Sequence, residues 1–233
     1  MKHEEKQTHI KSYVVRGGRF SKGQQSAYER LKDRFLINAA AAGGINPDDT
    51  LNFHMLFGNS GPVIAEIGFG SGSATALIAE KQRAVNYVGI EVYRPGIGNL
   101  LKLIEEKQLS NIRIYEGDAF TLFRDNISEA SLRGVHLFFP DPWPKKRHHK
   151  RRLVQPGFSE ILQRSLEKDG YVYFVTDWEN YGEHARFVFD GTEGLENMFE
   201  GYAPPQSWRP VTRFHRKGEA RDHKIYELYY VKR

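Results

Sequence analysis

One stretch limits the architectures open to this chain. Val63, Ile64, Ala65, Glu66 and Ile67 form an apolar run broken by a single acid, Gly68-Phe69-Gly70-Ser71-Gly72 follows at once, and Ala74, Leu77 and Ile78 then recur at helical spacing. The order reads as a buried strand, a tight turn and a helix whose start faces the strand's end. Glycine belongs in such a turn because the backbone must visit positive φ and let a ligand approach closely. The pattern then repeats. Residues 86–92 read as a second strand, followed by a helix marked by Ile97, Leu100, Leu101 and Ile104; 112–115 read as a third, and 135–139 as a fourth, before a helix with Phe158, Ile161, Leu162 and Leu166. Residues 171–175 make the fifth, 179–190 a helix with Tyr181, Ala185 and Val188 on one face, and 225–231 a closing strand. Strand and helix in strict alternation predict an α/β fold with a doubly wound, mostly parallel sheet.

An acid stands at the end of each of the five core strands: Glu66 just before the glycine turn, then Glu91, Asp118, Asp141 and Asp177. Any one of them reads equally as a helix cap, since Asp and Glu favour helix starts. Five at equivalent positions suit a nucleoside ligand that carries a positive charge, because carboxylates accept from ribose hydroxyls and offset a cation. A nicotinamide cofactor prefers G-x-G-x-x-G, whereas this turn has Ser73 at the sixth position and Glu66 where a pyrophosphate would be repelled. The residues favour S-adenosylmethionine, whose sulfonium is cationic.

The fourth strand runs into Pro140-Asp141-Pro142-Trp143-Pro144, and the eight residues from Lys145 to Arg152 hold six permanent cations and two histidines. Neither proline can donate to a sheet ladder, so the strand stops and Asp141 is presented at its carboxyl end, the usual ligand mouth of such a sheet. The cation density suits a polyanion; a solvated loop is the plainer reading. Trp143 and Trp178 are candidates for stacking on a base and equally for the core.

The 233 residues are 39% hydrophobic with no low-complexity tract and a net charge of +5, which predicts a globular protein with an acidic partner. With no cysteine, disulfides, thiolate metal sites and cysteine nucleophiles are excluded. The histidines match no common zinc spacing, so no metal is expected. No apolar run approaches membrane-spanning length and the N-terminus lacks a signal core, giving a cytoplasmic reading. Residues 1–23 are expected to be a flexible basic arm, and 24–233 a single domain beginning with a helix that carries Tyr28, Leu31 and Phe35 and stops by Gly43-Gly44. Monomer and homodimer both stay open.

In chain order, the segments Arg16 to Gly23, Glu66 to Gly72, Gly89 to Val92, Gly117-Asp118-Ala119, Phe138 to Lys145, Lys150-Arg151-Arg152, Thr176-Asp177-Trp178 and Arg209 to Phe214 resemble the bacterial tRNA (guanine-N7-)-methyltransferases. The glycine turn would suit any class I methyltransferase; the P-D-P-W segment with its basic run is far narrower. The resemblance implies a Rossmann-like class I methyltransferase fold, seven-stranded with an antiparallel C-terminal strand, and methylation of N7 of a tRNA guanine in the variable loop. It implies that Glu66, Gly68, Gly70, Gly72, Glu91, Asp118 and Asp141 bind S-adenosylmethionine and that Asp141 is catalytic. Lys145, Asp177, Thr212, Arg213, Phe214 and His215 would hold the guanine, while Arg147, His148, His149, Lys150, Arg151 and Arg152 would touch RNA. His215 stands where the family pattern ends in Glu.

The chemistry agrees. Guanine N7 has a lone pair and no proton, so methylation requires placement more than deprotonation, and a fixed carboxylate such as Asp141 or Asp177 favours the charge that develops on the purine. RNA helices bury N7 in a deep, narrow groove, so the base must come from a loop or be extruded. A methyltransferase acting on another RNA, and a basic RNA-binding protein without catalysis, are the rival readings.

Overall fold

The computed structural model describes residues 10–14, 17–37, 49–211 and 224–233. Ser21 caps the first helix, α1 (Lys22–Phe35), its hydroxyl accepting from the Gln24 amide while the Gln24 side chain accepts from the Ser21 amide, a reciprocal capping box. The helix ends at Phe35, before the expected glycine stop, which lies outside the described residues. After the short α2 (Phe53–Phe57) the alternation begins: β1 (Val63–Ile67), α3 (Ser73–Lys81), β2 (Asn86–Glu91), α4 (Arg94–Glu106), β3 (Ile112–Glu116), α5 (Ala119–Asp125) and β4 (Leu132–Phe138). A 3-10 helix at Lys146–Arg151 precedes α6 (Pro156–Ser165), β5 (Leu166–Thr176), α7 (Glu179–Asp190), β6 (Leu195–Asn197) and β7 (Tyr226–Lys232).

These strands form one seven-stranded sheet in the order β3-β2-β1-β4-β5-β7-β6. The pairs from β3 to β5 are parallel, and β7 runs antiparallel to both β5 and β6. Strand alternation divides the core. Val63, Ala65 and Ile67 join Val135, Leu137 and Phe174 on one face under α5, α6 and α7, whereas Ile64, Tyr173 and Val175 face the other way, under α1, α3 and α4. Leu100 and Leu101 of α4 are wholly buried there, and truncating either to Ala would cost ~2–5 kcal/mol.

One expected face is corrected. The buried side of α3 is Thr75, Ala76, Ile78 and Ala79, while Leu77 is 39% exposed. Leu77 and Ala74 turn toward the cleft above the glycine turn, an apolar surface that the helical period cannot distinguish from core.

The strand order reverses between β1 and β4. That switch point opens a crevice at the carboxyl ends of the strands, and both the glycine turn after β1 and the Pro140–Pro144 loop after β4 sit there. The geometry of the fold therefore brings together the two segments singled out by sequence.

Candidate active site

Gly68, Gly70 and Gly72 have φ of 74°, 59° and 69°, the left-handed region that side chains rarely adopt. A Cβ added to Gly68 or Gly70 would meet nothing, so the backbone there faces open space that a ligand could fill. Gly72 also has a packing role. Its added Cβ would lie 2.6 Å from Leu100 Cβ, which makes it a packing glycine between the turn and α4. The turn rests on a further glycine, Gly96, where a Cβ would come within 1.9 Å of the Gly70 carbonyl oxygen.

Two neighbouring cavities share Gly68 and Phe139. The larger, about 780 Å³, is bounded by the glycine turn, Glu66, Tyr93, Phe138, Pro210 and Val211, and the smaller, about 190 Å³, by Glu91, Gly117, Ala119, Asp141, Ser12 and Tyr13. Glu66 is 2% exposed, and its Oε2 is buried with no hydrogen-bond partner. Burial pushes this carboxyl up to about 7; the neighbouring Thr75 hydroxyl opposes the shift and the charge of Glu91 adds to it. An unsatisfied carboxylate oxygen in a cleft is a strong acceptor awaiting a donor or a cation.

Glu91 is more constrained than a strand-end acid need be. Its Oε2 accepts the Gly70 amide at 2.8 Å, and its Oε1 accepts the Val92 and Tyr93 amides at 2.7 and 3.0 Å. Those three donors hold the carboxylate rigidly and leave about one of its four acceptor positions for a ligand. Burial raises its pKa, the amides oppose that, and Asp141 pushes it up again, so the two acids sense each other across the smaller cavity. Asp141 is exposed at the mouth of β4. Asp118 also caps a helix: its carboxylate accepts the Phe120 amide at 2.8 Å and starts α5, while Gly117 and Ala119 on either side line the cavity.

The loop after β4 is strained. Phe139 and Trp143 have φ of 52° and 46°, a conformation that costs of order 1–3 kcal/mol for residues with side chains. Trp143 is committed to structure: its indole N–H donates to the Ser12 carbonyl at 2.9 Å, and the Arg151 guanidinium lies over its ring at 4.2 Å. Arg151 also donates to the carbonyls of Lys11 and Tyr13 at 3.3 and 3.5 Å. Trp178 packs half-buried against the core beside α7. Both tryptophans thus have internal partners.

Of the basic run, Lys145, Lys146, Arg147 and Lys150 are exposed and His148 and His149 half-buried. Burial and then the surrounding cations lower the His148 pKa, which favours its neutral form. Arg152 is a correction to the expected RNA contact. It is 2% exposed and donates to the carbonyls of Pro142 and Asn180 and to Asn180 Oδ1 at 3.0, 3.2 and 2.8 Å, with its plane 4.9 Å from the Tyr181 ring centre. Asp177 is half-buried in the connection from β5 to α7, and neither it nor Lys145 lines the two cavities. Thr212, Arg213, Phe214 and His215 lie outside the described residues. Among the described residues no cluster of His, Asp and Glu could hold a metal ion, and no helix is long and apolar enough to cross a membrane.

Ser12, Tyr13, Tyr93 and Gln24 border the cavities without having been singled out by sequence. For Ser12 and Tyr13 no local signal exists, since both lie in a polar stretch; Pro210 and Val211 could have been found, because they fall inside the Arg209-to-Phe214 motif.

Comparison with known proteins agrees with this arrangement. A family model described as "Putative methyltransferase" matches residues 60–228. The tRNA (guanine-N(7)-)-methyltransferase of Burkholderia mallei is 45% identical over 224 residues, 96% of this chain and 82% of that protein, and its counterpart from Paraburkholderia xenovorans is 44% identical, over 96% and 84%. In fold, the chain is similar to the crystal structures of an aminoglycoside resistance methyltransferase (TM-score 0.52, 14% identity, 78% of this chain and 92% of that one) and of an rRNA methylase from Streptococcus thermophilus (TM-score 0.51, 11% identity, 78% and 97%). With its class I methyltransferase sheet, its acid-lined switch-point crevice and these relatives spanning nearly its whole length, the chain belongs to the tRNA (guanine-N(7)-)-methyltransferase family.

Proposed function

We propose that the chain methylates N7 of a guanine in the variable loop of tRNA, as a cytoplasmic enzyme whose catalytic domain is residues 24–233, preceded by a basic arm. The observation that carries this reading is the convergence of Glu66, Glu91 and Asp141 on cavities that share Gly68, beside an exposed basic run. S-adenosylmethionine, when bound, supplies a methyl group activated by a sulfonium charge. The residues fit such a ligand. Glu66 offers a buried, unpaired carboxylate oxygen to a cationic end, Glu91 offers its remaining acceptor position to ribose hydroxyls, and Gly68 and Gly70 leave the backbone bare for close approach.

Asp141 is the residue we assign to the purine. An exposed carboxylate at the β4 mouth accepts from guanine N–H donors, holds N7 in line and stabilises the positive charge the base acquires. No general base is needed, because N7 carries no proton. Lys146, Arg147 and Lys150 supply the sequence-independent grip on phosphates. Lys145 acts at O6 or a phosphate, since a hydrogen bond to N7 would block attack.

Transfer of labelled methyl from S-adenosylmethionine to bulk tRNA, followed by nucleoside digestion, tests the reading. Label in 7-methylguanosine is expected. Label in a different nucleoside, or none, would overturn it.

A further inference from the structure

The loop at 206–211 is held by an ion pair of a kind that is costly to bury. Arg209 Nη2 lies 2.5 Å from Glu227 Oε1, and both side chains are 2% exposed. Arg209 Nε donates to the Tyr173 hydroxyl at 3.0 Å, and that hydroxyl donates to the other oxygen of Glu227. The three groups close a triangle. Tyr173 stands on β5 and Glu227 on β7, where Tyr173 pairs with Tyr229 and Val175 with Glu227, so the two lie on one face of the antiparallel ladder, two positions apart.

The loop's backbone and its tryptophan are tied to the same point. The Gln206 amide donates to the Tyr173 hydroxyl at 3.3 Å, and the Arg209 amide to the Gln206 carbonyl at 3.0 Å. Trp208 stacks on the fully buried His136 at 5.0 Å and meets Tyr173 edge-on at 5.4 Å. What leaves this anchor is Pro210 and Val211, which wall the larger cavity together with the glycine turn and Phe138; Val211 is 56% exposed.

Removing two charges from water is costly, and well-packed apolar residues often stabilise a core as well or better. A planar guanidinium fork gives direction instead: it fixes where its backbone must lie. We propose that Arg209 is a positioning residue for the substrate base, acting with Glu227 and Tyr173 to set Pro210 and Val211 as an apolar wall against which a purine face packs. This rests on the reading of the cleft as the guanine site. Glu66 and Glu91, assigned to the cofactor, stand on β1 and at the end of β2, with β4 between them and the β5–β7 ladder. Because Glu66 and the glycine turn line the same cavity as Pro210 and Val211, the effect of the anchor on the nucleic acid is read against S-adenosylhomocysteine affinity.

The test uses the full chain and bulk tRNA. Arg209→Lys keeps the charge and removes the fork; the expected result is a folded protein with S-adenosylhomocysteine affinity within about twofold of wild type and a tRNA kcat/KM at least tenfold lower per folded molecule. A kcat/KM that falls only with the folded fraction would make the triangle merely structural, and a parallel loss of S-adenosylhomocysteine affinity would give the loop to the cofactor; either overturns the proposal. Should Arg209→Lys fail to fold, Val211→Ser decides: an exposed side chain changes without loss of Tm, and KM for tRNA is expected to rise at least fivefold, whereas unchanged kinetics would sink the wall. Wild type run in the same assay separates the two levels, since a wild type that forms no 7-methylguanosine refutes the guanine reading itself.

Discussion

The indole N–H of Trp143 donates to the carbonyl of Ser12 across 2.9 Å, joining segments 131 residues apart. The contact lays Ser12 and Tyr13 along the smaller cavity, opposite acids that would serve a ribose. Tyr13 is itself raised in pKa by burial and then by the nearby charge of Asp118, as a phenol at the edge of an acidic cavity should be.

Trp143→Phe keeps a ring for Arg151 and removes the donor. One neutral hydrogen bond is worth ~0.5–1.5 kcal/mol net, so S-adenosylhomocysteine affinity should fall roughly two- to tenfold as the wall at 12–13 loosens. Calorimetry on the two proteins checks this; equal affinities would mean that the wall does not touch the cofactor.

Glu66 makes cofactor binding depend on pH. Its carboxyl titrates at about 7 in the folded protein against an ordinary 4.5. The folded chain therefore keeps a proton that the unfolded chain has released, and ligand-free stability falls as pH rises between those two values, by about 3 kcal/mol. The α-ammonium that S-adenosylhomocysteine shares with S-adenosylmethionine favours the ionised form, so S-adenosylhomocysteine affinity should climb from pH 6 to 8. In Glu66→Gln that climb should vanish and the affinity should be low throughout. A wild-type affinity that is flat across this range would remove Glu66 from the cationic end.

Much of this was legible beforehand because it is periodic. Alternating apolar runs gave the strands, and Ile97, Leu100, Leu101 and Ile104 gave the buried face of α4, all at 1% exposure or less. What escaped depends on partners distant in sequence. Arg152 looks like its neighbours in the basic run, and only Asn180 and Pro142 reveal it as core. Leu77 obeys the helical period and still faces the cleft, since period reports apolarity and not what covers it. The Arg209–Glu227 pair spans 18 residues and joins a loop to β7, with no local pattern to announce it.

Gly96 and Gly157 make opposite forecasts. An added methyl at Gly96 strikes the Gly70 carbonyl oxygen at 1.9 Å, so Gly96→Ala must shift the glycine turn, with a loss of ~1–3 kcal/mol in stability and weaker S-adenosylhomocysteine binding. At Gly157, in the first turn of α6, the methyl meets nothing, and Gly157→Ala should be neutral or gain up to ~1 kcal/mol. Thermal unfolding with and without ligand distinguishes them; equal behaviour would mean that the turn does not lean on α4.

The basic run divides the same way. Arg147 and Lys150 are exposed, so replacing both with Ala should flatten the dependence of log affinity for tRNA on log salt by ~0.7–0.9 for each phosphate no longer neutralised, with Tm unchanged. Arg152→Ala should do the reverse. It strips donors from the Pro142 and Asn180 carbonyls and from Asn180 Oδ1, all part-buried, at ~1–3 kcal/mol, while leaving the salt slope where it was. Filter binding of tRNA from low to high salt, alongside thermal melts, separates the two roles. A slope that flattens in Arg152→Ala without any loss of Tm would return that arginine to the RNA surface.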